Sequence, residues 1–165
     1  MCEKQNKKPG LLGALCVLCA MGLSIAAFAL LLRWDSRRPH AFDASEWTEP
    51  VPPGLSLSLQ SEQNEGYATF TGLCYIAGEH FEMMNNSVVL YCQDTQEYLR
   101  IATVMAAGDG DAYVDGLNMA YGRFYAFVSL DALEQKPQEY EICFAYGANR
   151  HRILLHTGQQ IGGAI

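Results

Sequence analysis

Between Gly10 and Leu32 the chain runs for 23 residues, GLLGALCVLCAMGLSIAAFALLL, without one charged side chain. No other feature constrains the fold as strongly. As a helix rising 1.5 Å per residue the run is about 35 Å long, enough to cross a hydrocarbon core of roughly 30 Å with modest tilt. A helix closes its backbone hydrogen bonds within itself, as lipid demands of any segment that crosses it. Lys4, Lys7 and Lys8 precede the run. Arg33 and Trp34 follow it, where snorkelling cations and amphipathic rings settle at a bilayer surface. The pattern predicts a short basic tail at 1–9, one transmembrane helix at 10–32, and the lipid bilayer as the partner of that helix.

Other readings of the run are weaker. A cleavable signal peptide has a shorter apolar region, and three leucines follow Ala27-Phe28-Ala29, its one cleavage-like site. Cys16 and Cys19 follow Leu15 and Leu18, whereas a lipoprotein anchor resembles others in having a small residue before its cysteine. Orientation is nearly balanced by charge, with Lys4, Lys7 and Lys8 on one side and Arg33, Arg37 and Arg38 on the other. The overall form of a short basic tail, an apolar run and a folded domain is that of a signal-anchor. It predicts a single-pass protein of the cell membrane with its C-terminal domain on the extracytoplasmic side.

Residues 33–54 read as a Pro-rich juxtamembrane linker. The stretch PHAFDASEWTEPVPPG holds four prolines and three acidic residues without helical or alternating periodicity. Its prolines favour extended, polyproline-like backbone, so it is expected to act as a plain spacer. The domain is then 55–165. It carries five Lys/Arg against thirteen Asp/Glu, a net charge of −8. Such a surface repels phosphate, so no nucleic acid is expected as a partner.

Within that domain the period becomes two. Leu55, Leu57 and Leu59 alternate with Ser56, Ser58 and Gln60, as in a half-buried strand. Further strands are predicted at 66–77, 87–93, 97–104, 122–130, 139–146 and 152–157, with Gln93–Gln96 as a hairpin turn. Alternation places Val88, Leu90, Phe124, Ala126, Val128, Leu130, Tyr140, Ile142, Phe144 and Tyr146 inside. The expected class is all-β: a seven-stranded antiparallel immunoglobulin-like sandwich behind one N-terminal transmembrane α-helix. The resemblance to immunoglobulin domains is architectural. The spacing of Cys74 and Cys143 is similar to that of the inter-sheet disulfide. However, no Trp follows Cys74 in the domain, and Glu141 stands where the tyrosine corner wants Tyr.

Candidate chemistry is sparse. Three domain cysteines, Cys74, Cys92 and Cys143, are expected as buried thiols, with Cys74–Cys92 or Cys74–Cys143 as the alternative disulfides. Asp109, Asp111 and Asp115 lie near two glycines and offer hard oxygen ligands, but Tyr113 and Ala120 occupy positions where a calcium loop needs oxygen donors. They are weak metal candidates, and no cofactor is expected. Arg150, His151 and Arg152 form a basic tip that suits an anionic ligand or a protein partner. No catalytic residue emerges, because His80, His151 and His156 sit in no spaced signature with a nucleophile. A hydrolase would need a pocket that joins one of them to Ser or Cys. The leading expectation is a membrane-anchored binding or accessory module, with a subunit of a larger membrane complex as the alternative and a secreted or tethered hydrolase as a less favoured one.

Overall fold

The computed structural model describes residues 10–80, 84–106, 113–114, 117–118 and 122–163. They form two compact units, divided between Asp35 and Ser36.

The first unit is one α-helix, α1, at Leu11–Asp35. Gly10 starts it, its carbonyl accepting from the amides of Gly13 and Ala14 at 2.8 and 3.2 Å. Beyond that, leucine and alanine dominate, no proline interrupts, and Ser24 returns its hydroxyl proton to the Ala20 carbonyl at 2.9 Å. The stretch Gly13–Asp35 is long and apolar enough to cross a membrane, and none of it is buried within the protein.

The second unit is built from antiparallel strands. Its elements are β1 (His40–Ala41), β2 (Leu55–Gln63), β3 (Tyr67–Ile76), β4 (Ser87–Cys92), β5 (Glu97–Arg100), β6 (Thr103–Ala106), β7 (Tyr113–Val114), β8 (Leu117–Asn118), β9 (Arg123–Ser129), β10 (Tyr140–Tyr146) and β11 (Ile153–Gln160). One sheet has the order β1-β5-β4-β10-β11, the other β2-β3-β9-β6, and β7 pairs with β8 alone. The two larger sheets therefore hold nine strands where seven were expected in all.

Two differences explain the count. The first is that the predicted strand 97–104 is two strands, β5 and β6, which belong to opposite sheets. The chain leaves the first sheet at Ile101, which is buried and donates its amide to the Val88 carbonyl at 3.0 Å. Thr103 holds the corner, with its hydroxyl accepting from the Val88 amide and donating to the Ile101 carbonyl, both at 2.9 Å.

The second difference corrects the spacer reading of 33–54. From Ser36 onward this segment belongs to the β unit. His40 and Ala41 pair with Arg100 and Leu99 on β5, and the Phe42 amide donates to the Tyr98 carbonyl at 2.8 Å. Thr48 bridges to Ile153, and Glu49 donates its amide to the Arg152 carbonyl at 3.0 Å. The segment is thus a strap from one edge of the five-stranded sheet to the other. Trp47 anchors it, 7% exposed, packed with Val89, Cys143 and Ala145 on the sheet's outer face. That face is apolar and needs a cover, and burial of an indole offsets the entropy of ordering a proline-stiffened chain.

The main core lies between the sheets. Phe70, Cys74, Phe124, Ala126 and Val128 from one meet Val88, Leu90, Ile142, Phe144 and Ile153 from the other. The rings of Phe124 and Phe144 touch across the interface with centroids 4.6 Å apart. The alternation read from the sequence holds for β4, β9 and β10. Close packing of backbone against a ring explains Gly72 on β3, where a Cβ would run into the Ser58 carbonyl and the Phe124 ring.

Candidate functional site

β10 is the inner strand that carries the only outward acid on its length. Its inward phase is Tyr140, Ile142, Phe144 and Tyr146, so Glu141, Cys143 and Ala145 face outward. Antiparallel pairing sets Cys143 opposite His156 on β11 and opposite Val89 on β4. A bulge between Glu141 and Cys143 shifts the register so that Glu141 pairs with Gln160. Despite that shift, the Glu141 carboxylate still reaches the imidazole of His156.

Three different side-chain donors converge there. His156 Nδ1 lies 3.0 Å from Glu141 Oε2 and 3.5 Å from Cys143 Sγ. The three ligand-type atoms all lie within 4.8 Å of one another. The second carboxylate oxygen of Glu141 accepts from the Gly158 amide at 2.9 Å, which fixes the acid. Gly158 adopts φ +70°, a conformation that glycine takes without strain, and so turns its N–H toward the carboxylate. On the far side of the imidazole, Nε2 stands 3.5 Å from the Tyr98 hydroxyl. Tyr91 meets the imidazole edge-on at 5.4 Å and stacks on Tyr98 at 4.6 Å, making a wall beside the ring.

The environment sorts these groups. Cys143 is fully buried, while the side chains of Glu141 and His156 keep 25% and 44% exposure. Burial, followed by the nearby charge of Glu141, pushes the Cys143 thiol well above the usual cysteine range. Burial, followed by the neighbouring Tyr91, Cys143 and Glu141, raises the Tyr98 phenol. The cluster thus has the Cys143 sulfur at its buried base, with the Glu141 and His156 side chains at its exposed mouth.

The basic tip is arranged differently from the sequence expectation. His151 is held by two carboxylates, its Nδ1 3.2 Å from Glu49 Oε2 and its Nε2 3.4 Å from Glu79 Oε2. The Arg152 guanidinium lies over the Trp47 ring, 5.3 Å from its centroid. Arg150 is exposed, and with Arg152, Asn85, Met84 and Gly147 it lines a recess of about 190 Å³. The three residues are therefore neighbours without being one convergent site. Asp109, Asp111 and Asp115 lie outside the described residues. Cys74, Cys92 and Cys143 are buried free thiols; neither Cys74–Cys92 nor Cys74–Cys143 is formed. Cys74 faces the main core and Cys143 the strapped outer face, which keeps them apart.

Sequence reasoning missed the Glu141–Cys143–His156 cluster because no two of its members have metal-ligand spacing. The signal was present in the hairpin. A turn centred near residues 149–150 places position 143 beside 156, and Glu141 shares the outward phase with Cys143. Comparison of the chain with protein-family models, with curated proteins and with solved structures finds no match. What the fold defines is a mostly β protein of two antiparallel sheets behind one N-terminal apolar helix, an organisation consistent with a single-pass membrane protein.

Proposed function

We propose that this chain is a single-pass membrane protein that presents an immunoglobulin-like binding or accessory module on the extracytoplasmic side. One observation carries the reading: α1 holds no charged side chain before Arg33 and none of its membrane-length span is buried, while residues 36–165 close their own core. A helix of that kind needs lipid or protein around it. The strand orders support the finer fold. With the edge strand β1 set aside and β2, β3, β4, β5, β6, β9, β10 and β11 lettered A, B, C, C′, D, E, F and G, the sheets read ABED and C′CFG, similar to the immunoglobulin division of strands.

The partner is read as a protein or an anionic ligand, with the recess beside Arg150 and Arg152 as its candidate contact, while His151 is engaged by Glu49 and Glu79. The net charge of −7 speaks against nucleic acid. Catalysis is not part of the reading. Cys143 approaches His156 as a nucleophile approaches its base, yet a catalytic thiol is lowered in pKa and accessible, and this one is raised and enclosed. The alternative of a subunit in a membrane complex rests on the small residues of α1, Gly13, Ala14, Ala20, Gly22, Ala26 and Ala27, which let helices approach closely.

Fractionation and proteolysis test the anchor and its direction. The chain should stay in membranes through alkaline carbonate washing, and protease added to intact cells should remove the β domain and leave a short membrane-bound stub. A soluble mature protein lacking residues 1–29 would replace the anchor with a signal peptide. Full protection of the domain alongside a cytoplasmic marker would reverse the orientation. Migration of the detergent-extracted chain at the size of a larger assembly in native gels would favour the subunit reading.

A further inference from the structure

We propose that Glu141, Cys143 and His156 form a binding site for a thiophilic divalent cation of the zinc class. The inference is independent of the membrane reading, since all three ligands belong to the β10–β11 hairpin and its immediate cover. It begins with a mismatch. His156 Nδ1 faces both a carboxylate oxygen at 3.0 Å and a sulfur at 3.5 Å. A single proton on Nδ1 serves only one of them, whereas a cation at the centre serves all three.

The distances suit that role. Zinc binds nitrogen and oxygen at about 2.0–2.2 Å and sulfur at about 2.3 Å, so in a tetrahedral site N and O sit about 3.3 Å apart and N and S about 3.5 Å apart. The observed 3.0 and 3.5 Å at the imidazole need shifts of only a few tenths of an ångström, while the sulfur and the carboxylate oxygen, which lie within 4.8 Å of each other, must stand at about 3.6 Å in the bound site. One sulfur, one nitrogen and one oxygen donor select zinc and its neighbours over magnesium or calcium, which prefer oxygen alone.

The surroundings are those of an oriented site. A metal-bound imidazole characteristically donates its other N–H to an acceptor that fixes the ring, and Tyr98 stands at Nε2 to accept it. A ligating carboxylate is in turn held by a hydrogen bond, here from the Gly158 amide. Tyr91 packs edge-on against the imidazole and limits its rotation. The fourth position points to the exposed side of Glu141 and His156, where water or a donor from another molecule completes the coordination. On binding, Cys143 releases its proton to solvent and gives the sulfur electron pair to the cation. The imidazole carries its proton on Nε2 and donates the Nδ1 pair.

The test is cobalt substitution in the full chain, reduced and held in detergent. Co²⁺ added at pH 8 should produce a thiolate-to-cobalt charge-transfer band with the visible bands of a four-coordinate ion, and Zn²⁺ should displace it. The charge-transfer band should vanish in Cys143→Ser. In His156→Gln, a change at an exposed side chain whose fold is checked by circular dichroism, the Co²⁺ affinity should fall at least tenfold. Tyr98→Phe should weaken binding while keeping the band, on the order of the 10–100-fold seen when an outer partner is lost. The band should persist when Cys16 and Cys19 are both changed to Ala. Absence of the band in the native chain, its survival in Cys143→Ser, an unchanged affinity in His156→Gln, or its loss in the Cys16/Cys19 variant would each overturn the proposal.

Discussion

Replacing Trp47 by alanine separates a docked strap from a free spacer. The indole is 7% exposed, so nearly all of its surface leaves water on folding. An aromatic side chain buries about 150–250 Å², which at about 25 cal/mol per Å² is about 4–6 kcal/mol. Compactness of the unfolded chain removes about 10–40% of that, leaving about 3–5 kcal/mol, the range found for truncating buried aromatics. Loss of the Arg152 guanidinium from the ring face adds about 0.5–1 kcal/mol. For a domain of about 5–15 kcal/mol total stability this is a large fraction. Urea unfolding of residues 36–165, followed by circular dichroism, measures it. With a slope of about 1–3 kcal/mol per molar, the midpoint should fall by more than about 1 M. A fall below about 0.3 M would mean that Trp47 is not buried in solution, and the strap would revert to a tether.

Other outcomes follow from the same packing. Phe144→Ala should cost about 3–5 kcal/mol in the same assay, because the ring is fully buried against Phe124 between the sheets. Gly72→Ala should destabilise by more than about 2 kcal/mol, since its methyl meets the backbone carbonyl of Ser58 on β2 as well as the Phe124 ring; a neutral result would mean that β2 is free to move away. Stability should also decline in alkali. Burial raises the Cys74 thiol to about 12, so the folded protein keeps its proton where the unfolded chain has lost it. That contribution is complete below the unfolded value near 8.5 and is lost at about 1.4 kcal/mol per pH unit as pH rises toward 12. Unfolding midpoints measured between pH 8 and 10.5 should therefore drop less steeply in Cys74→Ala than in the native protein.

Much of the two-sheet fold was legible because alternation is a local property. β2, β4, β9, β10 and β11 begin within a residue or two of their expected positions, and the inner faces of β4, β9 and β10 are those read from the sequence. The split of 97–104 was not legible. Leu99, Ile101 and Thr103 keep the period of two through the corner, and the break is decided by bonds to Val88, a residue distant in sequence. The strap was hidden by composition, since prolines and acids surround Phe42 and Trp47. A clue lay in β10 and β4, where the outward phase holds Cys143, Ala145 and Val89, apolar residues that a solvated face would not carry. The cluster at His156 was half visible. Its acid and thiol share one phase, but the irregular register of β10 with β11 and the turned Gly158 amide that holds Glu141 leave no pattern of side chains in the sequence.

The strap also sets how the domain responds to force. A pull on the chain from the α1 side reaches the β unit through residues 36–54 before it reaches β2. The first bonds loaded are those of Arg37, whose carbonyl accepts from the Ser129 amide at 3.2 Å and whose guanidinium reaches Tyr67, followed by the two residue pairs of β1 with β5, the Phe42–Tyr98 hydrogen bond and the seat of Trp47. Behind them β2 is held by a continuous register from Leu55↔Ile76 to Gln63↔Ala68. The short pairing peels first and pays out up to about 65 Å of chain at about 3.3–3.6 Å per residue while the sandwich core stays closed. The strap is a mechanical fuse in series with the domain. Its rupture would uncover Cys143 and the apolar outer face under low load, and its redocking would restore them without refolding the core.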